Sequence, residues 1–286
     1  MNLVKLRKYW YILSLLIIIP GMISFGWKGL NYGIDFTGGS LIELKFNQTV
    51  QVGNVRAVLD DLGLPKDSKI QESAGNVLII RTKDLSQEES SNLLQGLEEK
   101  AGSYQLLRNE SVEPAVGKEL RNKAIIAVVI AFALMIVYIT IRFEFLSGLA
   151  AVSALVHDIL ITVGLVSLLG LEVDGAFIAA LLTIVGYSIN DTIVIFDRVR
   201  ENIGKKKKGE HMDEIIHHSI MQTLTRSINT VLTVVFTLVA LILFGGVTIK
   251  TFVTILLIGV VTGCYSSIFV ASPLWYDYRR LRGESI

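Results

Sequence analysis

Six runs of apolar side chains, each close to the length of a membrane span, place the strongest constraint on how this chain folds. They cover residues 9–27, 123–141, 146–170, 175–196, 228–245 and 250–271. A helix rises ~1.5 Å per residue, so about twenty residues cross the ~30 Å hydrocarbon layer of a bilayer. Hydrophobic residues make up 51% of the 286. The sequence therefore predicts an α-helical integral membrane protein with six transmembrane helices.

Basic residues flank these runs on alternate sides of the predicted membrane. They precede the first run and follow the second, fourth and sixth: Lys5, Arg7, Lys8, Arg142, Arg198, Arg200, Lys205–Lys208, Arg279, Arg280 and Arg282. Because basic loops remain cytoplasmic, we expect residues 1–8, a loop over 197–225 and residues 273–286 in the cytoplasm, and residues 28–120 in the periplasm. The first run has no small-residue cleavage site after it, which indicates an uncleaved signal anchor.

The segment between the first two runs, residues 28–120, has the patterns of a small α+β domain. Alternation predicts strands at 40–46, 68–73, 76–82 and 104–112, with a turn through Ala74-Gly75-Asn76 and a helix at 52–62. Ser86 and Glu89 have the spacing of a capping box, which predicts a second helix to about Lys100. The order βαββαβ predicts a ferredoxin-like sandwich. Since this segment shows no catalytic constellation, we interpret it as a protein-interaction or lever domain.

Composition excludes several functions. A formal net charge of +1 leaves no basic face large enough for nucleic acid. The single cysteine, Cys264, rules out a disulfide framework and a cysteine-based metal site. The lysines at 205–208 and the amphipathic stretch 212–224 predict an interfacial helix attracted to anionic membrane lipids. Metal binding by His211, His217 and His218 is the alternative, and we favour the interfacial helix over it.

Polar and ionisable side chains interrupt three of the apolar runs. They are His157 and Asp158 in the third run, Asn190 and Asp191 in the fourth, and Arg226 and Asn229 at the start of the fifth. Ionisable groups inside a membrane cost several kcal/mol, so each is a functional hypothesis. Adjacent helical residues point ~100° apart, so at least one of His157 and Asp158 is expected to face another helix or a polar cavity.

Asp191 and Arg226 are predicted to lie at similar depth on consecutive spans. Asp191 precedes Arg198 by seven residues, about 10 Å of helix. Arg226 lies about 6 Å inside a boundary near Gln222. A guanidinium beside a carboxylate favours its ionised form, and burial without that partner favours the protonated form. Movement of Arg226 would then load and unload a proton on Asp191, but a static ion pair accounts equally well for the spacing.

Five motifs in their order along the chain resemble one protein family. They are Gly33–Gly39, which includes Asp35, Gly38 and Gly39, then Val112–Leu120, His157-Asp158, Gly186–Asn202 and Thr225–Thr230. Together they resemble the SecD/SecF family of bacterial protein-export subunits, and the SecF branch within it, which belongs to the resistance-nodulation-division superfamily. The likeness extends over essentially the whole chain.

The resemblance implies an accessory subunit of the Sec translocase in the bacterial inner membrane. It implies a heterodimer with a SecD-like subunit that uses the proton-motive force to promote late steps of preprotein translocation through SecYEG, with YajC as a further partner. The substrate would be an unfolded preprotein, with no enzymatic activity and no cofactor. The residues that the family links to proton transport match Asp191 and Arg226, and Asn190, Asp158 and His157 complete the candidate set.

Two other functions stay open at this point. A small-molecule exporter of the same superfamily is disfavoured by size, because such exporters have twelve spans and two large periplasmic domains. An intramembrane aspartyl protease would use Asp158 and Asp191. It is disfavoured because Ser188-Ile189-Asn190-Asp191 lacks the Gly-x-Gly-Asp pattern of those enzymes.

Overall fold

The computed structural model of the chain describes residues 2–73, 75–142, 144–206 and 209–283. These residues form two compact units, one of Met1–Asn31 with Ala127–Ile286 and the other of Tyr32–Ile126. We call them the helical unit and the α+β unit and describe each separately. Ala74 of the predicted turn, and Lys207 and Lys208 of the predicted lysine run, lie outside the described residues.

The elements follow the predicted order along the chain. They are α1 (Arg7–Lys28), β1 (Asn31–Tyr32), α2 (Ile34–Thr37), β2 (Gly39–Phe46), α3 (Val52–Asp61), β3 (Lys69–Ser73), β4 (Val77–Thr82), α4 (Gln87–Ala101), β5 (Tyr104–Val112), α5 (Pro114–Arg142), α6 (Phe145–Leu169), β6 (Glu172–Val173), α7 (Gly175–Gly204), α8 (Met212–Phe244), α9 (Val247–Ser266), a π-helical turn (Ser267–Ala271) and α10 (Ser272–Leu281).

Within the described residues, six helices are long and apolar enough to cross a membrane. They are α1, α5, α6, α7, α8 and the continuous helix Thr248–Leu281, which passes from α9 through the π-helical turn into α10. The prediction of six transmembrane helices is confirmed. Each predicted apolar run lies within one of these helices or coincides with it to within a residue at either end.

The segment predicted as a loop over 197–225 is largely helical. Helix α7 continues to Gly204, and α8 begins at Met212 and runs unbroken to Phe244. The helix predicted over 212–224 is present as the first part of α8, and its interfacial position stays a prediction. Ile216 and Ile220 are fully buried in one apolar cluster with Val4, so this face packs against the protein. The charges that suggested a loop are compatible with a helix, because Lys205 pairs with Glu201 one turn away at 2.6 Å.

Small residues bring α1 and α6 into close contact in the helical unit. A Cβ atom built on Gly21 would lie 2.8 Å from the Cα of Gly164. One turn further along both helices, the hydroxyls of Ser24 and Ser167 are hydrogen-bonded at 3.1 Å. Small residues allow such backbone approach between membrane helices, where dispersion and hydrogen bonds replace the hydrophobic effect.

Ion pairs join the N-terminal segment to the ends of several helices. Lys5 lies 3.4 Å from Asp213 at the start of α8, and Arg7 lies 2.7 Å from Asp277 on α10. Arg279 on α10 donates to Glu144 just before α6 at 3.1 Å. These contacts place the start of α1, the starts of α6 and α8, and α10 at the same end of the helical unit.

The α+β unit is a four-stranded antiparallel sheet with two helices on one face. The strand order is β3-β4-β2-β5, with β2 paired to both β4 and β5. Alternate side chains of β2 and β4 pack against α3 and α4 in a single core that contains Ile42, Leu44, Phe46, Leu78, Ile80, Val55, Val58, Leu59, Leu93 and Leu97. This topology confirms the predicted ferredoxin-like βαββαβ arrangement.

Helix α4 starts with the predicted capping box. The Ser86 hydroxyl accepts from the Glu89 amide at 3.2 Å, and the Glu89 carboxylate accepts from the Ser86 amide at 2.9 Å. Hydrogen bonds from the Lys83 ammonium and then from Ser86 lower the pKa of Glu89 to about 2. Because the folded pKa lies below the ordinary value, this contribution is present above pH 4.5 and is lost as pH falls toward 2.

We predict that Ser86→Ala loosens the start of α4. Loss of an N-cap costs about 1 kcal/mol, which corresponds to roughly fivefold faster exchange of the α4 amides by local opening. Hydrogen–deuterium exchange on the purified protein measures this. Ser91→Ala is the matched control, because the Ser91 hydroxyl donates within the helix to Gln87 and caps nothing. Equal effects of the two substitutions would contradict the capping role.

Candidate functional site

Asp158 is enclosed inside the helical unit by groups from three helices. Its side chain is 1% exposed. The Oδ1 atom lies 2.9 Å from Nδ1 of His157, and Oδ2 accepts from Ser188 at 2.6 Å and from Ser266 at 2.7 Å. These partners belong to α6, α7 and α9. Asp158 therefore faces a polar interior and not lipid.

His157 extends the network to α1. Its Nε2 atom lies 2.9 Å from the Ser14 hydroxyl, which lies 3.2 Å from the Tyr265 hydroxyl. Tyr265 in turn donates to the Trp10 carbonyl at 2.8 Å. Sequence reasoning required only one of His157 and Asp158 to face another helix, and the structure buries both.

Asp191 is the second enclosed carboxylate of the helical unit. It is 7% exposed, and its Oδ1 atom accepts from the Ser227 hydroxyl of α8 at 2.6 Å. Its Oδ2 atom is buried and meets no donor in full hydrogen-bond geometry among the described residues, although the Ser267 hydroxyl interacts with the same carboxyl. Buried polar atoms without a partner are rare and call for an explanation.

Arg226 does not form the direct ion pair with Asp191 that the spacing allowed. Its side chain is exposed, and Ser227 is the fully buried residue opposite Asp191. Adjacent residues point ~100° apart on a helix, so α8 presents only one of the two to α7. Arg226 still acts electrostatically on Asp191 at longer range.

The remaining polar candidates on α7 and α8 point outward. Asn190 and Asn229 are exposed on the surface of the helical unit. The structure therefore brings together two groups, His157 with Asp158 and Asp191 with Ser227, and leaves Asn190 and Arg226 outside them.

A hydroxyl bridge lies between the two carboxylates. Ser267 Oγ lies 2.9 Å from Thr192 Oγ1 and 3.3 Å from the Ser188 carbonyl oxygen. Ser188, Asp191 and Thr192 share one face of α7 at positions i, i+3 and i+4. On this face of α7, Ser188 donates to Asp158, and Asp191 lies one helical turn further along.

Glycines on α9 allow this close approach to α7. A Cβ atom on Gly263 would lie 2.9 Å from the Cβ of Ser188, and one on Gly259 would lie 2.1 Å from Ile184 Cδ1. Gly259 and Gly263 form a small-xxx-small pair that allows close helix packing. Ser188 can reach Asp158 while α9 lies directly against it.

The glycine motif belongs to the α+β unit. Gly38 and Gly39 have φ angles of +73° and +112°, which favour glycine. A Cβ on Gly38 would lie 2.5 Å from Pro114 Cα, and one on Gly39 would lie 2.4 Å from the Thr82 carbonyl oxygen. Asp35 lies in the short helix α2 just before them and is half-buried. The motifs at 33–39 and 112–120 therefore contact each other.

Sequence reasoning missed the hydroxyl-bearing members of the site. These are Ser14, Ser188, Thr192, Ser227, Tyr265, Ser266 and Ser267. A serine inside a helix can satisfy its hydroxyl with the carbonyl one turn earlier, so its presence does not reveal a bond to another helix. For Ser188, Thr192 and Ser227, the available signal was a position within one helical turn of Asp191 or next to Arg226.

The helical unit and its enclosed carboxylates define a multi-pass membrane protein with a polar core inside its helical bundle. The family model described as protein export membrane protein SecD/SecF, C-terminal, matches residues 93–281, and the model described as SecD/SecF GG motif matches residues 23–50. The chain belongs to the SecD/SecF family of protein export membrane proteins.

Similar proteins named protein translocase subunit SecF occur in several bacteria. The one from Sebaldella termitidis is 42% identical over 286 residues, covering 99% of this chain and 93% of that protein. The one from Thermobaculum terrenum is 41% identical, covering 96% and 92%. The one from Vibrio alginolyticus is 42% identical, covering 92% and 85%.

Solved structures of SecDF share the fold. The crystal structure of SecDF from Thermus thermophilus, described as a translocon-associated membrane protein, matches with a TM-score of 0.90 and 36% identity over 98% of this chain. A super-membrane-facing form of SecDF matches with a TM-score of 0.72 and 35% identity. The chain spans 39% of the length of each of these solved chains.

We predict that Gly263→Ala disturbs the α7–α9 contact. The added methyl would meet Ser188 within the tightly packed interface, and overpacking costs about 1–3 kcal/mol. Thermal unfolding of the purified protein in detergent checks this as a lower midpoint. Gly186→Ala on α7 is the control, because no atom lies within 4 Å of its added Cβ. A midpoint that falls as far for Gly186→Ala would argue against the packing role.

Proposed function

We propose that this chain is an accessory subunit of the Sec translocase that, with a SecD-like partner, uses the proton-motive force to promote late steps of preprotein translocation through SecYEG. Membership of the SecD/SecF family and the SecF relatives support the assignment to protein export. The observation that carries the proton-coupled part is Asp191, an enclosed carboxylate with one hydrogen-bonded oxygen and one that meets no donor in full hydrogen-bond geometry among the described residues.

In this proposal Asp191 is the proton carrier and Arg226 is its switch. Ser227 now donates to Asp191, and Arg226 is the preceding residue on the same helix. Rotation of α8 by one residue, ~100°, exchanges the serine for the guanidinium. The guanidinium favours release of the proton, and its withdrawal favours uptake, since a carboxyl in a low-dielectric site is then more stable neutral.

The SecD-like partner is supported by polar side chains on the outer surface of the helical unit. Arg226, Asn190 and Asn229 are exposed there, on helices that cross the membrane. Polar and ionisable residues at such positions face protein or water and not lipid. A second subunit with similar spans would cover them, as would be expected if this chain corresponds to part of the longer SecDF chains that it matches.

The other parts of the proposal follow from the same assignment. We propose unfolded preprotein as the substrate, YajC as a further partner and membrane lipids around the bundle, with no enzymatic activity and no cofactor. Three hydrogen-bond partners already surround Asp158, unlike a hydrolytic aspartate that must hold a water. His157 and Asp158 are proposed as a second, enclosed proton-exchanging group.

We propose the bacterial inner membrane as the location, with both termini cytoplasmic and residues 28–120 periplasmic. Basic residues of the N-terminal segment and of α10 lie at one end of the helical unit, paired with Asp213, Asp277 and Glu144. Basic residues concentrate on the cytoplasmic side of membrane proteins, so that end is assigned to the cytoplasm.

Cysteine labelling tests this orientation. In a Cys264→Ser background, Gly75→Cys is expected to react with a membrane-impermeant maleimide added outside the inner membrane. Lys206→Cys is expected to react only after the membrane is opened. The reason is the charge asymmetry of the two ends. Labelling of Gly75→Cys exclusively from the cytoplasmic side would contradict the orientation.

Asp191→Asn tests the carrier. It preserves the shape of the side chain but cannot ionise, so we expect loss of proton-driven stimulation of secretion, measured in inverted membrane vesicles. Arg226→Ala is expected to abolish the same stimulation. Arg226→Lys is expected to impair it in part, because lysine keeps the charge but lacks the planar guanidinium that can donate two parallel hydrogen bonds to a carboxylate. All three variants should still co-purify with the SecD-like subunit. Glu201→Gln removes an exposed carboxylate of the same helix and serves as the control.

A static ion pair predicts a different result. In that case the single variants fail to assemble, and the neutral double variant Asp191→Asn with Arg226→Gln recovers function because no unpaired charge remains. Recovery of proton-dependent secretion in the double variant would overturn the carrier. A double variant that is assembled but inactive supports it.

A further inference from the structure

Ser267 begins the π-helical turn that interrupts the last membrane helix. The turn covers Ser267–Ala271, and Ser267 is fully buried. A π-helical turn is rare, widens the helix by one residue and occurs frequently at functional sites. Here it follows directly after Ser266, which donates to Asp158.

The Ser267 hydroxyl has more partners within reach than it can use at once. It lies 2.8 Å from the Gly263 carbonyl, 3.3 Å from the Ser188 carbonyl and 2.9 Å from Thr192 Oγ1. A hydroxyl has one proton to donate. It must therefore choose between donating to a carbonyl, to Thr192 or toward the Asp191 carboxyl, with which it also interacts.

Two of these three partners, Thr192 and Ser188, each adjoin one of the two carboxylates. Thr192 follows Asp191 in the chain, and Ser188 donates to Asp158. Ser266, the residue before Ser267, donates to the same Oδ2 atom of Asp158 at 2.7 Å. A shift of α7 that accompanies a charge change on Asp191 therefore alters the Ser267 contacts and, through them, both donors to Asp158.

We propose that the pair Ser266 and Ser267 couples the protonation of Asp158 to that of Asp191, with Ser267 as the positioning residue of this coupling. The inference rests on the proposed function for its biological meaning, since it links the proposed carrier to the second enclosed acid. It makes the two carboxylates one interacting pair whose proton affinities depend on each other.

Other titratable groups border the same space and must be held constant in any test. On the helices packed against the π-helical turn and its neighbours they are His157 on α6, Tyr187 on α7, Arg226 on α8, and Cys264 and Tyr265 on α9.

The test is a direct titration of Asp191 in the purified, assembled protein. Infrared difference spectra isolate its carboxyl band as the signal that disappears in Asp191→Asn. In otherwise unaltered protein, Asp158→Asn should move the Asp191 midpoint to lower pH by about one unit, because Ser266 then no longer donates to a carboxylate at position 158 and Ser267 can turn its hydroxyl toward Asp191. In a Ser267→Ala background the same substitution should move it by less than about a third of that amount.

Two further variants make the result specific. Thr192→Val removes the bridge from the α7 side with little change in volume and should also reduce the shift. Thr262→Val on α9 is the control, since the Thr262 hydroxyl donates only within its own helix, to Ile258 at 2.8 Å. The full shift should persist in Thr262→Val.

Two outcomes overturn the coupling. One is an Asp191 midpoint that Asp158→Asn leaves unchanged. The other is a shift that persists in full in both Ser267→Ala and Thr192→Val. If neither of these variants assembles, the bridge is structural and the proposal also fails. The titration requires no transport, so it can succeed when secretion proves independent of protons, or fail when Asp191 proves to be the carrier.

Discussion

An ionised carboxylate transferred from water into hydrocarbon loses solvation worth several kcal/mol, and the helical unit is arranged around the replacement of that solvation. Asp158 receives two hydroxyl donors and an imidazole from three helices. Those contacts require α9 to lie directly against α7, and Gly263 provides the space. The positions of three helices thus follow from the hydrogen bonds of one carboxylate.

Asp191 has received much less of this compensation. It has one close serine donor, on Oδ1, and a less well aligned interaction with the Ser267 hydroxyl. Charge-assisted hydrogen bonds are the strongest that a protein offers, so a carboxylate surrounded by donors holds its charge state firmly. A carboxyl group with a single donor changes between its ionised and protonated forms at a lower cost in free energy. The contrast is consistent with the proposal that Asp191 is the carrier, with the more fully hydrogen-bonded Asp158 as the second acid.

The sequence predicted those features that depend on local pattern. Apolar run length identified the six spans, and alternation with the Ser86 cap identified the ferredoxin-like unit. The choice between Arg226 and Ser227 as the residue opposite Asp191 depends on the rotation of α8 about its axis. That rotation is set by packing against α7 and α9, which a single chain segment does not encode. Charge content likewise did not reveal that α7 continues to Gly204, because i, i+4 pairing lets a highly charged segment remain helical.

An exchange of Ser227 for Arg226 is useful as a switch only if the two arrangements have similar free energies. A hydrogen bond to a charged group contributes about 1.5–3 kcal/mol. A buried guanidinium–carboxylate pair gains more Coulomb energy, but desolvation of both ions removes much or all of that gain. The two arrangements therefore differ by a few kcal/mol at most, the range in which proteins populate both of two conformations. One charge moved across 100 mV is worth about 2.3 kcal/mol. In the proposed exchange the guanidinium crosses only part of the membrane, so the potential would contribute a fraction of this energy to the bias of α8 between Ser227 and Arg226.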